Sequence, residues 1–322
     1  MRELVVSKNE AGQRFDKYLF KYLNKAGSGF VYQMLRKKNI VLNDKKAAGN
    51  ERLNVGDVVK LYLAEDTINS FIDLTQNKKE KTSKKTNIKL DIIYRDDNVL
   101  LVNKPSGILS QKAVQSDISI NEVIIDYVLE NNIISEKEFH TFKPSVCNRL
   151  DRNTSGIIAA GISLKGSQML SELFRDRTIE KYYLALVKGK VTESKTIEGY
   201  LTKDTISNKV NIDKSNGEDY IKTAYEPVSY FNNMTLLMVH LYTGKTHQIR
   251  AHLASIGHPI VGDMKYGNKA MNDEAYRKYG IKNQLLHAYK LVFPKLSDEF
   301  EKISGKTIIC NLPKYWPVKY KE

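Results

Sequence analysis

The sequence predicts an α+β fold: a mixed, largely antiparallel β-sheet flanked by helices and loops, with a small α/β module at the front. Two observations carry this expectation. From residue 88 onward, short strand-like runs outnumber helical ones and do not alternate regularly with them, which argues against a βαβ architecture. Before that point, two short helical patterns lead into short strands and then into a lysine-rich stretch poor in large apolar residues. The 322 residues therefore divide into a front module (1–64), a linker (65–87) and a main domain (88–322).

In the front module Phe15, Leu19 and Leu23 recur at helical spacing, with Lys17 and Lys21 on other faces. Gly27-Ser28-Gly29 breaks that pattern. A second helix is predicted over Phe30–Lys38, with Met34 and Leu35 inward and Arg36, Lys37 and Lys38 at its end. Ile40–Leu42 reads as a strand, Asn43-Asp44 and Leu53–Asp57 as turns, and Val58–Leu63 as the closing strand. The N-K-K-E-K-T-S-K-K-T run that follows cannot pack a core and reads as a solvated tether.

In the main domain, strands are predicted at Leu90–Tyr94, Val99–Val102, Ile157–Gly161, Tyr182–Lys188, Lys209–Ile212, Thr223–Tyr230, Thr235–Leu241 and Lys290–Phe293. Helices are predicted at Ile120–Glu130, Lys165–Arg175 and His247–Ser255. No internal repeat of solenoid length is present.

The net charge is +14, and residues 1–86 hold 18 Lys/Arg against 10 Asp/Glu. Such a front arm suits a polyanionic partner, nucleic acid first. The two cysteines, Cys147 and Cys310, are far apart, which fits a reducing cytoplasm rather than a disulfide framework. There is no apolar run of the roughly 18 residues that a transmembrane helix requires. The N-terminal stretch also lacks the apolar core of a signal peptide.

Asn148–Gly156, N-R-L-D-R-N-T-S-G, sets one carboxylate, Asp151, between Arg149 and Arg152 and closes with turn residues before an apolar run. An acid flanked by bases at the entrance to a buried strand is the kind of local conflict found at functional sites. Taken alone, it is equally an Arg/Asp cluster on a surface turn. Three further segments stand out: K-P-S-G at 104–107, K-Y-Y-L-A-L-V-K-G at 181–189, and T-G-K-T-H-Q-I-R-A-H-L-A-S-I-G-H-P-I-V-G-D-M-K-Y-G at 243–267.

In this order the four segments resemble the RluA-type family of RNA pseudouridine synthases, over nearly the whole chain. The front module resembles the S-four-type RNA-binding domain through Arg14-x-Asp16-x-x-Leu19, the V-L-N-D turn and the V-G-D-x-V ending. The resemblance implies isomerisation of uridine to pseudouridine in RNA, with large-subunit rRNA expected and tRNA the alternative. It implies Asp151 as the catalytic carboxylate, Arg250 as its cationic partner and Tyr183 as the ring against the target base. Arg149 matches the position that enters the space a flipped base leaves, and Leu286 matches an apolar wall of the uracil pocket. Lys245, His247 and Gln248 fall at substrate-contacting positions, and Arg36, Lys37 and Lys38 would follow the RNA backbone. The expected protein is a monomer that binds RNA, not a membrane, and needs no cofactor.

The chain departs from the family where Asn148 replaces a histidine, where I-L-S-Q follows K-P-S-G, and where Lys245 replaces an arginine. The first change raises the alternative of a catalytically inactive ribosome-assembly factor. A nuclease or glycosylase is disfavoured by the lack of metal-ligating acids and of a hydrolytic motif. His247 and His252 are five apart, a poor spacing for shared metal ligation. Thr243-Gly244-Lys245-Thr246 imitates only the end of a P-loop, so no nucleotide cofactor is expected.

Overall fold

The computed structural model describes residues 1–72, 88–203, 210–213, 217 and 219–320. Most of the expected linker and the expected strand start at Lys209 lie outside the described residues.

The front module comprises β1 (Arg2–Val5), α1 (Phe15–Tyr22), α2 (Ser28–Arg36), β2 (Ile40–Leu42), β3 (Val58–Leu61) and α3 (Glu65–Ser70). Its antiparallel sheet runs β1-β3-β2. Phe15, Leu19, Val31 and Leu35 from the helices meet Ile40, Val59 and Leu61 from the sheet in one core. Three sequence expectations need correction here. Ser28 and Gly29 are helical, so the break is Gly27 alone, and α2 ends at Arg36, before Lys37 and Lys38. Strand β1 was not foreseen, because R-E-L-V buries only Leu4. The module does not end at residue 64. α3 continues it, with Ile68 in the core and the Arg2 guanidinium paired to Glu65 and donating to Asn69 Oδ1 at 2.7 Å.

The main domain follows as β4 (Ile92–Arg95), β5 (Val99–Lys104), α4 (Ile120–Glu130), α5 (Glu136–Phe139), β6 (Ser145–Val146), β7 (Ser155–Gly161), α6 (Leu164–Arg175), β8 (Glu180–Lys188), β9 (Lys195–Lys203), β10 (Val210–Asp213), β11 (Asp219–Phe231), β12 (Met234–Leu241), α7 (Gln248–Ser255), α8 (Lys269–Tyr279), β13 (Leu286–Val292) and β14 (Thr307–Ile309). One sheet runs β10-β9-β11-β12-β8-β13-β7-β5-β4, with β6 added to β7 and β14 to β13. Among the described residues its pairings are antiparallel except β13 with β7, which run parallel. Asn9 Nδ2 donates to Glu138 Oε1 at 3.2 Å and the Thr141 hydroxyl donates to Glu10, joining the front module to the main domain.

β7 reads S-G-I-I-A-A-G and is buried throughout, as a central strand covered on both faces must be. Ile158 and Ala160 pack with Ile124 and Val128 of α4, while Ile157 and Ala159 pack with Leu170 and Leu173 of α6. α6 starts where Ser163 Oγ accepts the Gly166 N–H at 2.9 Å. Alternation along β8 sends Tyr183, Ala185 and Val187 to the α4 side, and Leu184 and Leu186 to the side of α8 and Trp316.

Candidate active site

Asp151 lies on the turn between β6 and β7, and the K-P-S-G segment grips that turn through side chains and backbone. Lys104 Nζ donates to the Arg152 carbonyl at 3.0 Å, the Gly107 N–H donates to the same carbonyl at 2.9 Å, and Ser106 Oγ donates to the Asn153 carbonyl at 2.8 Å. Ser110 Oγ both accepts from the Leu150 N–H and donates to the Leu150 carbonyl, each at 2.9 Å. Lys104 is fully buried, and its other two protons go to the Pro105 and Ile108 carbonyls at 3.0 and 2.8 Å. Burial pushes this ammonium down to about 7, against the charge of Asp151. Three carbonyl acceptors for three protons favour its charged form.

Asn148 supports the turn from the other side. Its Oδ1 accepts the Ala159 N–H at 2.8 Å and its Nδ2 donates to the Ile157 carbonyl at 3.1 Å. The amide therefore reads the backbone of β7, a task that needs a donor and an acceptor but no charge. Gly156 closes the turn with φ +112°, and a Cβ there would lie 2.3 Å from the Ala288 carbonyl oxygen. Only glycine lets β7 approach β13 this closely.

Arg250, on α7, donates from Nη1 to Asp151 Oδ2 at 2.7 Å. Its Nε and Nη2 go to the two oxygens of Asp263 at 2.7 and 3.0 Å. Burial works to lower this guanidinium, but Asp263 and then Asp151 overcome it and hold it above its ordinary value. Burial likewise opposes ionisation of Asp263, yet Arg250 and the N–H groups of Lys265 and Tyr266 hold the acid below the usual carboxylate range. The Tyr266 ring lies 5.2 Å from the guanidinium carbon.

A cavity of about 780 Å³ opens on Asp151 and is lined by Arg149, Tyr183, His247, Arg250 and Leu286 among others. Tyr183 is 8% exposed, and burial followed by the Asp151 charge pushes its phenol up. Tyr182 points to the opposite face, where it stacks on His240. Leu286 is buried and Arg149 is exposed at the mouth. His247 adopts left-handed backbone ahead of α7. Its Nδ1 lies 3.1 Å from the Tyr266 hydroxyl and its Nε2 lies 3.9 Å from Asp151 Oδ2.

Two expected substrate contacts also make bonds within the protein. Gln248 is buried, with Oε1 accepting from Thr243 at 2.9 Å and Nε2 donating to the Lys222 carbonyl and Thr223 hydroxyl, each at 3.0 Å. Lys245 is paired with Asp219. Both residues line the cavity, but their polar atoms are engaged in holding the loop before α7. Arg36, Lys37 and Lys38 are exposed on the front module, away from the cavity lining. Lys104 and Asp263 were not foreseen as site residues, although both lie inside segments singled out by sequence.

A family model described as RNA pseudouridylate synthase matches residues 98–255, from β5 to α7. The chain is 30% identical over 293 residues to a ribosomal large subunit pseudouridine synthase C of Vibrio cholerae serotype O1, across 89% of this chain and 87% of that protein. It is 31% identical over 305 residues to an uncharacterized RNA pseudouridine synthase of Mycoplasma genitalium, across 91% and 90%. The solved structure of human RNA Pseudouridylate Synthase Domain Containing 4 shares the fold, with a TM-score of 0.55 at 21% identity over 74% of this chain and 94% of that one.

Proposed function

Because this chain belongs to the RNA pseudouridylate synthase family, we propose that it isomerises specific uridines of large-subunit ribosomal RNA, with Asp151 as the reacting carboxylate. One observation carries the assignment of Asp151. Among the described residues its carboxylate is hydrogen-bonded only at Oδ2, by Arg250, so Oδ1 is left to the cavity.

The isomerisation breaks the bond from ribose C1′ to uracil N1 and forms a bond from C1′ to C5. N1 gains a proton and C5 loses one, so no electrons enter or leave. Attack by the carboxylate on carbon and removal of a ribose proton both begin from that free oxygen. Arg250 keeps a positive charge beside the acid while Asp263 fixes its direction. Tyr183 and Leu286 supply a flat ring and an apolar wall for an extruded base, and Arg149 at the mouth fills the space it vacates.

The ribosomal target rests on the basic end of α2 and on the names of the relatives, and tRNA is the competing substrate. The departure at Asn148 gives no support to an inactive protein, because that side chain serves the backbone of β7. We read the protein as a cytoplasmic monomer.

The test is to incubate purified protein, and its Asp151→Asn variant, with unmodified large-subunit rRNA and with unmodified tRNA, then to map pseudouridine chemically. The expected result is modification of rRNA by the wild type alone. Equal modification by both proteins would remove Asp151 from the mechanism, and modification of tRNA alone would replace the substrate.

A further inference from the structure

Lys181 stands at the start of β8, two residues before Tyr183 and on the same face of the sheet. It lines the cavity and is only 8% exposed. Among the described residues no hydrogen bond or ion pair reaches its ammonium. Its charged neighbour is another cation, Arg177, which adds to burial in holding Lys181 below the ordinary lysine value. The ammonium meets solvent only through the cavity, and a charge so confined, without an acid and with a guanidinium beside it, is costly.

The surroundings continue this bias. The cavity lining holds eight lysines and arginines against one acid, Asp151. Asp151 is already committed to Arg250. On the wall beside Lys181, Arg175 is drawn to Asp176 at 2.8 Å, while Arg177 is exposed on left-handed backbone with φ 60°. The rise of about 3.3 Å per strand residue sets Lys181 roughly 7 Å along β8 from Tyr183, on the scale of one nucleotide.

We propose that Lys181, with Arg177 outside it, is an anion subsite for a backbone phosphate of the RNA strand that carries the target uridine. The proposal rests on the reading of the protein as an RNA pseudouridine synthase and names how that site holds its strand. The ligand is the phosphodiester itself, so the subsite contributes affinity and register without reading sequence.

The experiment compares wild type, Lys181→Met, Lys181→Arg and Arg177→Gln. Filter binding of unmodified large-subunit rRNA transcript across a salt series is combined with thermal melting and pseudouridine formation against RNA concentration. Lys181→Met should weaken binding about tenfold, flatten the plot of log affinity against log salt by about one unit, and raise the half-saturating RNA concentration. Lys181→Arg should restore the slope, and Arg177→Gln should lower it in the same direction. Lys181→Met should also melt higher than wild type, since it removes a buried charge that has no partner in the free protein.

An unchanged salt slope in Lys181→Met would overturn the proposal. So would a lower melting temperature, which would reveal an internal partner, or a loss confined to the saturating rate. If wild type forms no pseudouridine on this transcript while the slope still responds to Lys181→Met, the assigned substrate fails and the phosphate subsite stands.

Discussion

Asp263 holds Arg250 with both carboxylate oxygens, through Nε at 2.7 Å and Nη2 at 3.0 Å, and so decides which nitrogen is offered to Asp151. Asp263 is itself fixed, because its Oδ1 also accepts the N–H groups of Lys265 and Tyr266 at 2.8 and 3.0 Å. Its side chain is fully buried and that of Arg250 nearly so, while that of Asp151 is 27% exposed. The guanidinium is thus anchored to the protein by one acid and presented to the cavity beside the other.

Asp263→Asn tests this division of labour. It keeps the volume but leaves Arg250 without its buried counter-charge, which costs about 3 kcal/mol or more. Urea unfolding should show that loss, and pseudouridine formation should fall by about a hundredfold as the guanidinium reorients. Arg250→Lys should not retain activity, since an ammonium cannot span both oxygens of Asp263 and still reach Asp151. Activity near wild type in either variant would mean that the fork on Asp263 does not set the site.

Gly156→Ala addresses the parallel seam. The added carbon would sit 2.3 Å from the Ala288 carbonyl oxygen on backbone with φ +112°, so strand separation and backbone strain both follow. A loss of about 3 kcal/mol or outright insolubility is expected. Gly29→Ala is the contrasting change: it meets nothing within 4 Å inside α2, so it should raise stability by about 0.5–1 kcal/mol. Melting curves of the two variants that move together would contradict the packing described for Gly156.

The parts legible in the sequence were those whose local chemistry carries its own reason. Asp151 stood out because an acid between two arginines ran straight into a buried strand. α4 and α6 were legible from the sequence, although the Ser163 cap that starts α6 emerged only in the structure. α8 was not, because K-A-M-N-D-E-A-Y-R-K-Y buries only Asn272 and Ala275 and leaves no apolar stripe. β9 was obscured by Gly199 and by mixed polar residues. The partnership of Arg250 with Asp263 arises only when α7 and the following loop close on each other. Gln248 and Lys245 read as substrate contacts, yet the turn into α7 recruits both for internal bonds. Lys104 read as turn punctuation, because nothing local shows that its three protons meet three carbonyls.

Acid should destabilise the protein through two histidines that take no part in the proposed chemistry. His252 and His287 are fully buried, and burial pushes each down to about 4. The unfolded chain binds these protons first, so the stability each contributes is complete above the unfolded value near 6.5 and is lost as pH falls toward 4. Between pH 7.5 and pH 5.0 the loss is about 2 kcal/mol per histidine. Urea unfolding at the two pH values should show it, and His252→Gln should remove about that much of the difference. An equal pH dependence in wild type and variant would mean that His252 is already charged in the native state.

Tyr183 supplies the last test, because its ring and its hydroxyl can be separated. Burial and the nearby Asp151 charge push the phenol up, so it stays neutral well beyond physiological pH. Tyr183→Phe keeps the ring and should bind unmodified rRNA within about threefold of wild type. Tyr183→Ala removes a stacking surface worth about 1–3 kcal/mol and should bind about tenfold more weakly or worse. A phenol that stays neutral also leaves no titration between pH 7 and 9, so the pH–rate profiles of wild type and Tyr183→Phe should share one shape over that range, whatever their absolute rates. A rise in the wild-type profile that the phenylalanine variant lacks would identify a phenolate acting as base and would displace the ring-packing role.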